Sequence, residues 1–230
     1  HGARRAARGR AVPAKPEAAR QSDEIGEISQ GFGELLELVD RLTRKASTDA
    51  LTGALNRHGF GEVAESELLR AQRYHRKLSM IVFDLDHFKA VNDRHGHAAG
   101  DRVLQEAARL VGENLRLADV FARWGGEEFI ILAPETSGGE AERLADKLRQ
   151  LFHEAHAEGL PRFTASFGVA DYEPGDDASS LFMRADRALY QAKQGGRDRV
   201  VLYRPEAPAA ADPRRRMIVV SDNTRRGTSS

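Results

Sequence analysis

Between Asp49 and Tyr203 the apolar residues switch repeatedly between two spacings, every third or fourth position and every second, and no other feature narrows the possible folds as far. Helical spacing predicts helices over Arg57–Arg76, Asp101–Arg116, Gly139–His156 and Ser180–Gln194. Strands are predicted at Leu78–Leu85, Val120–Trp124, Glu128–Leu132, Arg162–Ala170 and near Arg199–Tyr203. Two of these strands flank Gly125-Gly126, a pair expected to supply the positive φ angles of a two-residue hairpin turn. Helices interleaved with strands, one pair of them an antiparallel hairpin, describe an α+β architecture of the split-βαβ type.

The rest of the 230 residues divides by composition. Residues 1–21 are rich in Ala, Arg and Pro without apolar periodicity, as is the tail 204–230, with Pro205, Pro208, Pro213 and the basic run Arg214-Arg215-Arg216. Met217–Val220 inside that tail reads equally as a short strand or as part of a flexible extension. In residues 22–48, Ile25, Ile28, Phe32, Leu35, Val39, Leu42 and Ala46 step by three and four in turn, the seam of a coiled coil expected to pair with a second copy. A single amphipathic helix lying on the globular domain would use the same residues. Lys and Arg total 35 and so do Asp and Glu, so any anion site must be local and no general nucleic-acid binding is expected. The absence of cysteine excludes disulfides, thiol catalysis and thiolate metal sites. No apolar run reaches the roughly 20 residues of a membrane span, so the chain as written is expected to be soluble.

The chemistry concentrates where charges interrupt apolar strands. The run Met80–Leu85 ends in Asp84 and Asp86, expected on one face of the strand because side chains alternate with period two. Alone, an Asp-x-Asp pair is more often a turn or cap. The hairpin tip Arg123-Trp124-Gly125-Gly126-Glu127-Glu128-Phe129 adds two carboxylates beside glycines that allow a ligand close to the backbone. Carboxylates from neighbouring strands can share one hard cation, and magnesium favours sites completed by substrate phosphates. His87, His95 and His97 lack the spacing of paired helical ligands and do not argue for zinc.

Gly125–Phe129, GGEEF, resembles the signature of the GGDEF family of diguanylate cyclases. The resemblance runs from Asp49 to about Tyr203, through Asp49-Ala-Leu-Thr-Gly with Asn56-Arg57, Phe83-Asp-Leu-Asp-His-Phe-Lys89, Asn92-Asp93, Gly96-His97, Gly100-Asp101, Ala188-Leu-Tyr-Gln-Ala-Lys193 and Gly196-Arg197. Ala54 and His58 depart from the usual Leu and Arg without touching chemistry. The family implies a palm-like, ferredoxin-like domain at 49–203 with a central, mostly antiparallel sheet, in which two GTP condense to cyclic di-GMP with Mg2+, or Mn2+ in its place. It implies metal coordination by Asp84, the Leu85 carbonyl and Glu127, and help from Glu128 in deprotonating the attacking 3′-hydroxyl. Asn92 and Asp101 are implied to select guanine, whose N1–H and exocyclic amine suit a carboxylate while adenine's N1 acceptor does not. Gly100-Asp101 precedes the predicted helix, so Asp101 reads alternatively as its N-cap, or as both. Phosphate contacts are expected from Lys193, Arg197, Lys89 and the loop containing His87 and Phe88, although basic residues at a helix C-terminus also answer its dipole. Arg116 and Asp119 match the spacing of the family's inhibitory product site, an Arg-x-x-Asp pair that also occurs at helix ends for structural reasons.

Catalysis in the family needs a homodimer with facing GTP sites. Ser22–Phe32 resembles the second helix of a HAMP linker and Gly9–Gln21 its connector, implying an upstream membrane-anchored sensor and a catalytic domain on the cytoplasmic side of a bacterial inner membrane. A catalytically silent receptor for GTP or cyclic di-GMP is the main rival reading, against which the retained Asp84, Glu127 and Glu128 argue. A polymerase palm would share the metal chemistry but require a basic template channel and further domains.

Overall fold

A computed structural model describes residues 32, 47–155 and 160–205. The elements run α1 (Arg57–Tyr74), β1 (Leu78–Leu85), α2 (Phe88–His95), α3 (His97–Asn114), β2 (Val120–Gly125), β3 (Glu128–Pro134), α4 (Gly138–Glu154), β4 (Ala165–Asp171), α5 (Ala178–Gln194) and β5 (Val200–Leu202). The connector at 1–21, nearly all of the stalk at 22–48 and the tail from 206 onward lie outside the described residues.

The sheet has the order β2-β3-β1-β4-β5, antiparallel except where β4 meets β5. This is the predicted α+β architecture, as a five-stranded mixed sheet with helices on both faces. Strand β1 is buried at every position because it has a neighbour on each edge and helices on each face. Its alternation divides the core in two. Ile81, Phe83 and Leu85 join Val103, Ala107 and Val111 of α3 and Ala145, Leu148 and Phe152 of α4. Leu78, Met80 and Val82 face Phe60, Ala64 and Leu68 of α1 and Leu181, Ala185 and Leu189 of α5. Phe83 stacks between Phe129 and Phe167 of the flanking strands, ring centroids 5.1 and 5.0 Å away, which ties the three central strands together at the end where β1 turns polar.

The structure differs from the sequence reading in three places. An additional helix, α2, precedes α3, because Gly96 at φ 81° and ψ 160° separates two helices where a loop was expected. Helix α3 therefore begins at His97, which puts Asp101 in its second turn and excludes the N-cap role. The hairpin turn is Gly126-Glu127, with Gly125 paired to Glu128 and only Gly126 at positive φ, since a bulge between Arg123 and Gly125 shifts the register by one. The fourth strand begins at Ala165, three residues after the predicted start.

Helix α5 packs closely on β4 because Gly168 has no side chain. A Cβ there would stand 2.1 Å from the Ala185 carbonyl oxygen and 2.2 Å from the Leu189 nitrogen, both main-chain atoms that move only with the helix. Gly168→Ala should cost about 3 kcal/mol of stability by overpacking, measured by urea unfolding; a loss under about 0.5 kcal/mol would show that α5 yields freely.

Candidate active site

The acidic candidate residues meet where β1 leaves the core. Asp84 lies directly across from Glu128 in the β1–β3 register, and the Leu85 N–H donates to the Glu127 carbonyl at 3.3 Å. Opposed residues on adjacent antiparallel strands hold their Cβ atoms about 5 Å apart, so two carboxylates are placed together by backbone pairing. Asp84 continues the Met80–Val82 face, the one covered by α1 and α5, and Lys193 near the end of α5 reaches it with Nζ 3.0 Å from Oδ2. Sequence analysis placed Lys193 among phosphate ligands; its contact with Asp84 comes from the packing of α5 on β4.

The hairpin is held from one side. The Arg123 guanidinium donates to the Gly126 carbonyl at 2.8 and 2.6 Å and pairs with Asp49 at 3.1 Å, while Asp49 also accepts from the Thr52 N–H and hydroxyl. Burial alone would raise the Asp49 carboxyl, but the bonds from Thr52 and Arg123 outweigh it and hold it below its ordinary value. Leu55 bonds to the outer edge of β2, accepting from the Arg123 N–H and donating to the Phe121 carbonyl. Trp124 packs edge-on against Phe60 and lies under the Arg57 guanidinium at 4.6 Å. Asp49, Leu55, Arg57 and Phe60 thus all support the turn that carries Glu127. Sequence reading quoted Asp49, Arg57 and Arg123 as motif residues without a role, because their partners are distant in the chain.

The remaining candidates separate. His87 takes a left-handed conformation, φ 56°, at the start of α2 and makes no side-chain cap. Phe88 is buried in the core, and Lys89 beside it is exposed. Asn92 abuts Gly100, where a Cβ would fall 1.9 Å from its Oδ1, and this buried oxygen has no hydrogen-bond partner among the described residues. Asp101 is the next residue after that contact and is exposed. Arg197 follows α5 at φ 63°. Asp86 does not share Asp84's surroundings: it turns to β4 and accepts from the Thr164 and Ser166 hydroxyls at 2.8 and 2.7 Å. The expected common face fails because β1 ends at Leu85.

Arg116 and Asp119 lie at the other end of β2, about 20 Å from the turn at strand rise. The Arg116 N–H donates to Asp119 Oδ2 at 2.8 Å, and the Asp119 N–H returns to the Arg116 carbonyl. Asp119 also lines a cavity of about 550 Å³ with Arg70, Tyr74, Arg76, Lys77 and Leu117. The lining also holds Glu67 and Glu135, which pair with Arg70 and Arg76 at 2.9 Å, so it carries both signs of charge; Arg70 shows no motif in the sequence and is brought near only by the fold.

Among the described residues no three acidic or histidine side chains converge as a ready-made cage. Asp84 and Glu127 with a main-chain carbonyl make an all-oxygen donor set suited to a hard divalent ion. Burial raises the Asp84 pKa to about 6; the Lys193 bond and charge oppose this and the charges of Glu127 and Glu128 reinforce it. Added positive charge is what this arrangement lacks, so the residues fit such an ion.

The sign of this shift has a measurable consequence. An unfolded Asp84 loses its proton near 3.8 and the folded one near 6, so the native state binds more protons between those values and stability falls as pH rises through them. At neutral pH the ionised carboxylate costs at most about 3 kcal/mol. In buffer free of divalent cations, Asp84→Asn should be about 1 kcal/mol more stable than the parent at pH 7.5 and no more stable at pH 4. Urea unfolding at the two pH values decides it, a pH-independent difference ruling out the charge as the cause.

Comparison with known proteins places the chain in a family. Residues 46–199 match the family model described as diguanylate cyclase, GGDEF domain. The chain is 40% identical over 174 residues to diguanylate cyclase DgcM of Escherichia coli K12, covering 76% of this chain and 42% of that protein. It is 43% identical over 160 residues to diguanylate cyclase DgcP of Pseudomonas aeruginosa, covering 68% of this chain and 24% of that protein. The chain therefore spans less than half the length of these curated relatives. The crystal structure of the coiled coil and GGDEF domain of DgcB from Caulobacter crescentus, in complex with c-di-GMP, superposes with TM-score 0.73 at 31% identity over 80% of this chain and 98% of that one. The GGDEF domain of DgcB alone, in complex with c-di-GMP, gives 0.66 at 31% identity over 70% of this chain and 94% of that one. On the match of 46–199 and the identity to curated diguanylate cyclases, the chain belongs to the GGDEF diguanylate cyclase family.

Proposed function

We propose that this chain condenses two GTP into cyclic di-GMP and two pyrophosphates. The observation that carries the reading is the pairing of Asp84 with Glu128 across β1 and β3, with Glu127 in the adjoining turn. Asp84, Glu127 and the Leu85 carbonyl would hold Mg2+, or Mn2+ in its place, which when bound supplies positive charge to the triphosphate and lowers the pKa of a coordinated hydroxyl. Glu128 receives the proton of the ribose 3′-hydroxyl as its oxygen bonds to the α-phosphorus of the facing GTP and the bond to pyrophosphate breaks. A second, symmetric transfer closes the ring. Lys193 and Arg197, with Lys89 and the main chain at His87 and Phe88, hold the phosphates. Asn92 and Asp101 present acceptors to the base, and the unpartnered buried Oδ1 of Asn92 calls for the donors that guanine has and adenine lacks.

Each subunit binds one GTP, so turnover requires a homodimer joined through residues 22–48. The better superposition with DgcB when its coiled coil is included supports a stalk there, as does Phe32, helical and 60% exposed at a seam position. The HAMP-like residues 9–32 would connect that stalk to a membrane-anchored sensor, with residues 49–203 as the cytoplasmic catalytic unit and 204–230 as an extension. No helix among the described residues is long and apolar enough to cross a membrane.

Incubated with GTP and Mg2+, the purified chain should form cyclic di-GMP, identified by chromatography, with specific activity rising as protein concentration increases. Glu128→Gln should lower the rate by about 10²–10⁴-fold. GTP binding without product at high protein concentration would leave the receptor reading instead.

Arg116 and Asp119 form the product site, supported by their Arg-x-x-Asp spacing at the far end of β2 and by the cavity of about 550 Å³ that Asp119 lines. Product held there would keep the two GTP sites apart, giving inhibition that does not compete with GTP. Arg116→Ala should raise the inhibitory concentration of cyclic di-GMP about tenfold or more, as expected for loss of a bidentate contact, while leaving the initial rate within about twofold. Equal inhibition of variant and parent would remove Arg116 from the site.

A further inference from the structure

Asp86 is nearly as buried as Asp84, 6% against 8% exposed, yet it serves a different set of groups. One carboxylate oxygen accepts from the Ser166 hydroxyl. The other accepts from the Thr164 hydroxyl and, at 3.0 Å, from the N–H of Asp198, 112 residues further along the chain. The Asp86 N–H itself donates to the Thr164 carbonyl, so the residue has a fixed place at the end of the sheet.

Asp198 belongs to a backbone segment that does not hold its shape unaided. Gly196, Arg197 and Asp198 have φ of 111°, 63° and 43°, a left-handed run in which two members carry side chains. Such conformations persist where surrounding bonds over-determine them. Here the Arg197 N–H donates to the Ala192 carbonyl at 3.1 Å, the Arg199 Nε donates to the Arg197 carbonyl, and the Asp198 N–H donates to Asp86. The Asp198 carboxylate meets Arg149 at 3.2 Å and His153 at 3.6 Å. Both peptides flanking the Arg197 Cα are therefore tied, the earlier one to α5 and the later one to the sheet through Asp86.

We infer that Asp86 is a positioning residue for the phosphate-binding loop: it bears neither metal nor substrate and acts through the backbone of Asp198 to aim Arg197 at the terminal phosphates of GTP. This rests on the proposed role of Lys193 and Arg197. A carboxylate suits the task because its acceptor sites serve two hydroxyls and one N–H together. A side chain without an acceptor here leaves the two hydroxyls free to turn elsewhere, but the Asp198 N–H loses its partner.

The test uses equilibrium binding with Mg2+ of GMP and of a GTP analogue with a methylene bridge between α- and β-phosphorus, which cannot release pyrophosphate. The parent should prefer the triphosphate, and Asp86→Ala should reduce that preference about tenfold, a change that general loosening of the fold would not produce because it weakens both ligands alike. Arg197→Ala should reduce it similarly, and the double variant should be no worse than Arg197→Ala alone, since the two act as one unit. If Asp86→Ala does not fold, Asp86→Ser, whose hydroxyl is one bond too short to reach the Asp198 N–H, is expected to give the same loss. A preference unchanged by either variant, or additive losses in the double variant, overturns the inference about Asp86 alone. A parent that binds both ligands equally overturns the phosphate reading beneath it, and the inference with it.

Discussion

Strand β1 has neighbours on both edges and helices on both faces, and it ends in two carboxylates; most of the site follows from satisfying them. A buried ionised carboxylate is tolerated only where hydrogen bonds or opposite charges compensate it. Asp86 is compensated from within the fold, by two hydroxyls and an amide N–H that also join β4 and the last loop to the end of β1. Asp84 is compensated in part, by one ammonium group, while two glutamates of the neighbouring hairpin add to its charge. The same end of the sheet thus holds a carboxylate whose partners are complete and one whose charge is only partly met, two residues apart.

The helices reach this end of the sheet by close packing. Gly168 lets α5 lie directly against β4, which brings Lys193 to Asp84, and the ring stack of Phe129, Phe83 and Phe167 keeps the three central strands in register up to the residues before the acids. A one-residue slip of β3 against β1 would remove Glu128 from opposite Asp84 and turn apolar side chains outward, so the core that stabilises the fold also enforces the spacing of the site.

Edge strand β2 is covered by the segment that follows the stalk. Leu55 pairs with its backbone, Asp49 fixes Arg123, and Arg123 holds the carbonyl of the turn. Residues 49–60 thus join the start of the described domain to the GGEEF turn through named contacts.

Much of this was legible in the chain. Periodicity located every strand and all helices but α2, because apolar spacing reports which faces are buried, and the GGEEF turn with Asp84 marked the site because acids beside apolar strands need a cause. Local patterns did not reveal the short α2, since eight largely polar residues ending at a glycine look like a loop until Phe88 is seen in the core. For the same reason Asp101 read as a helix cap, and Asp84 and Asp86 read as a pair. Which carboxylate binds a lysine and which binds hydroxyls, and which arginine clamps the turn, were decided by tertiary structure. Those roles depend on partners 74 to 112 residues away, whose approach is set by strand order and helix packing and leaves no local mark in the sequence.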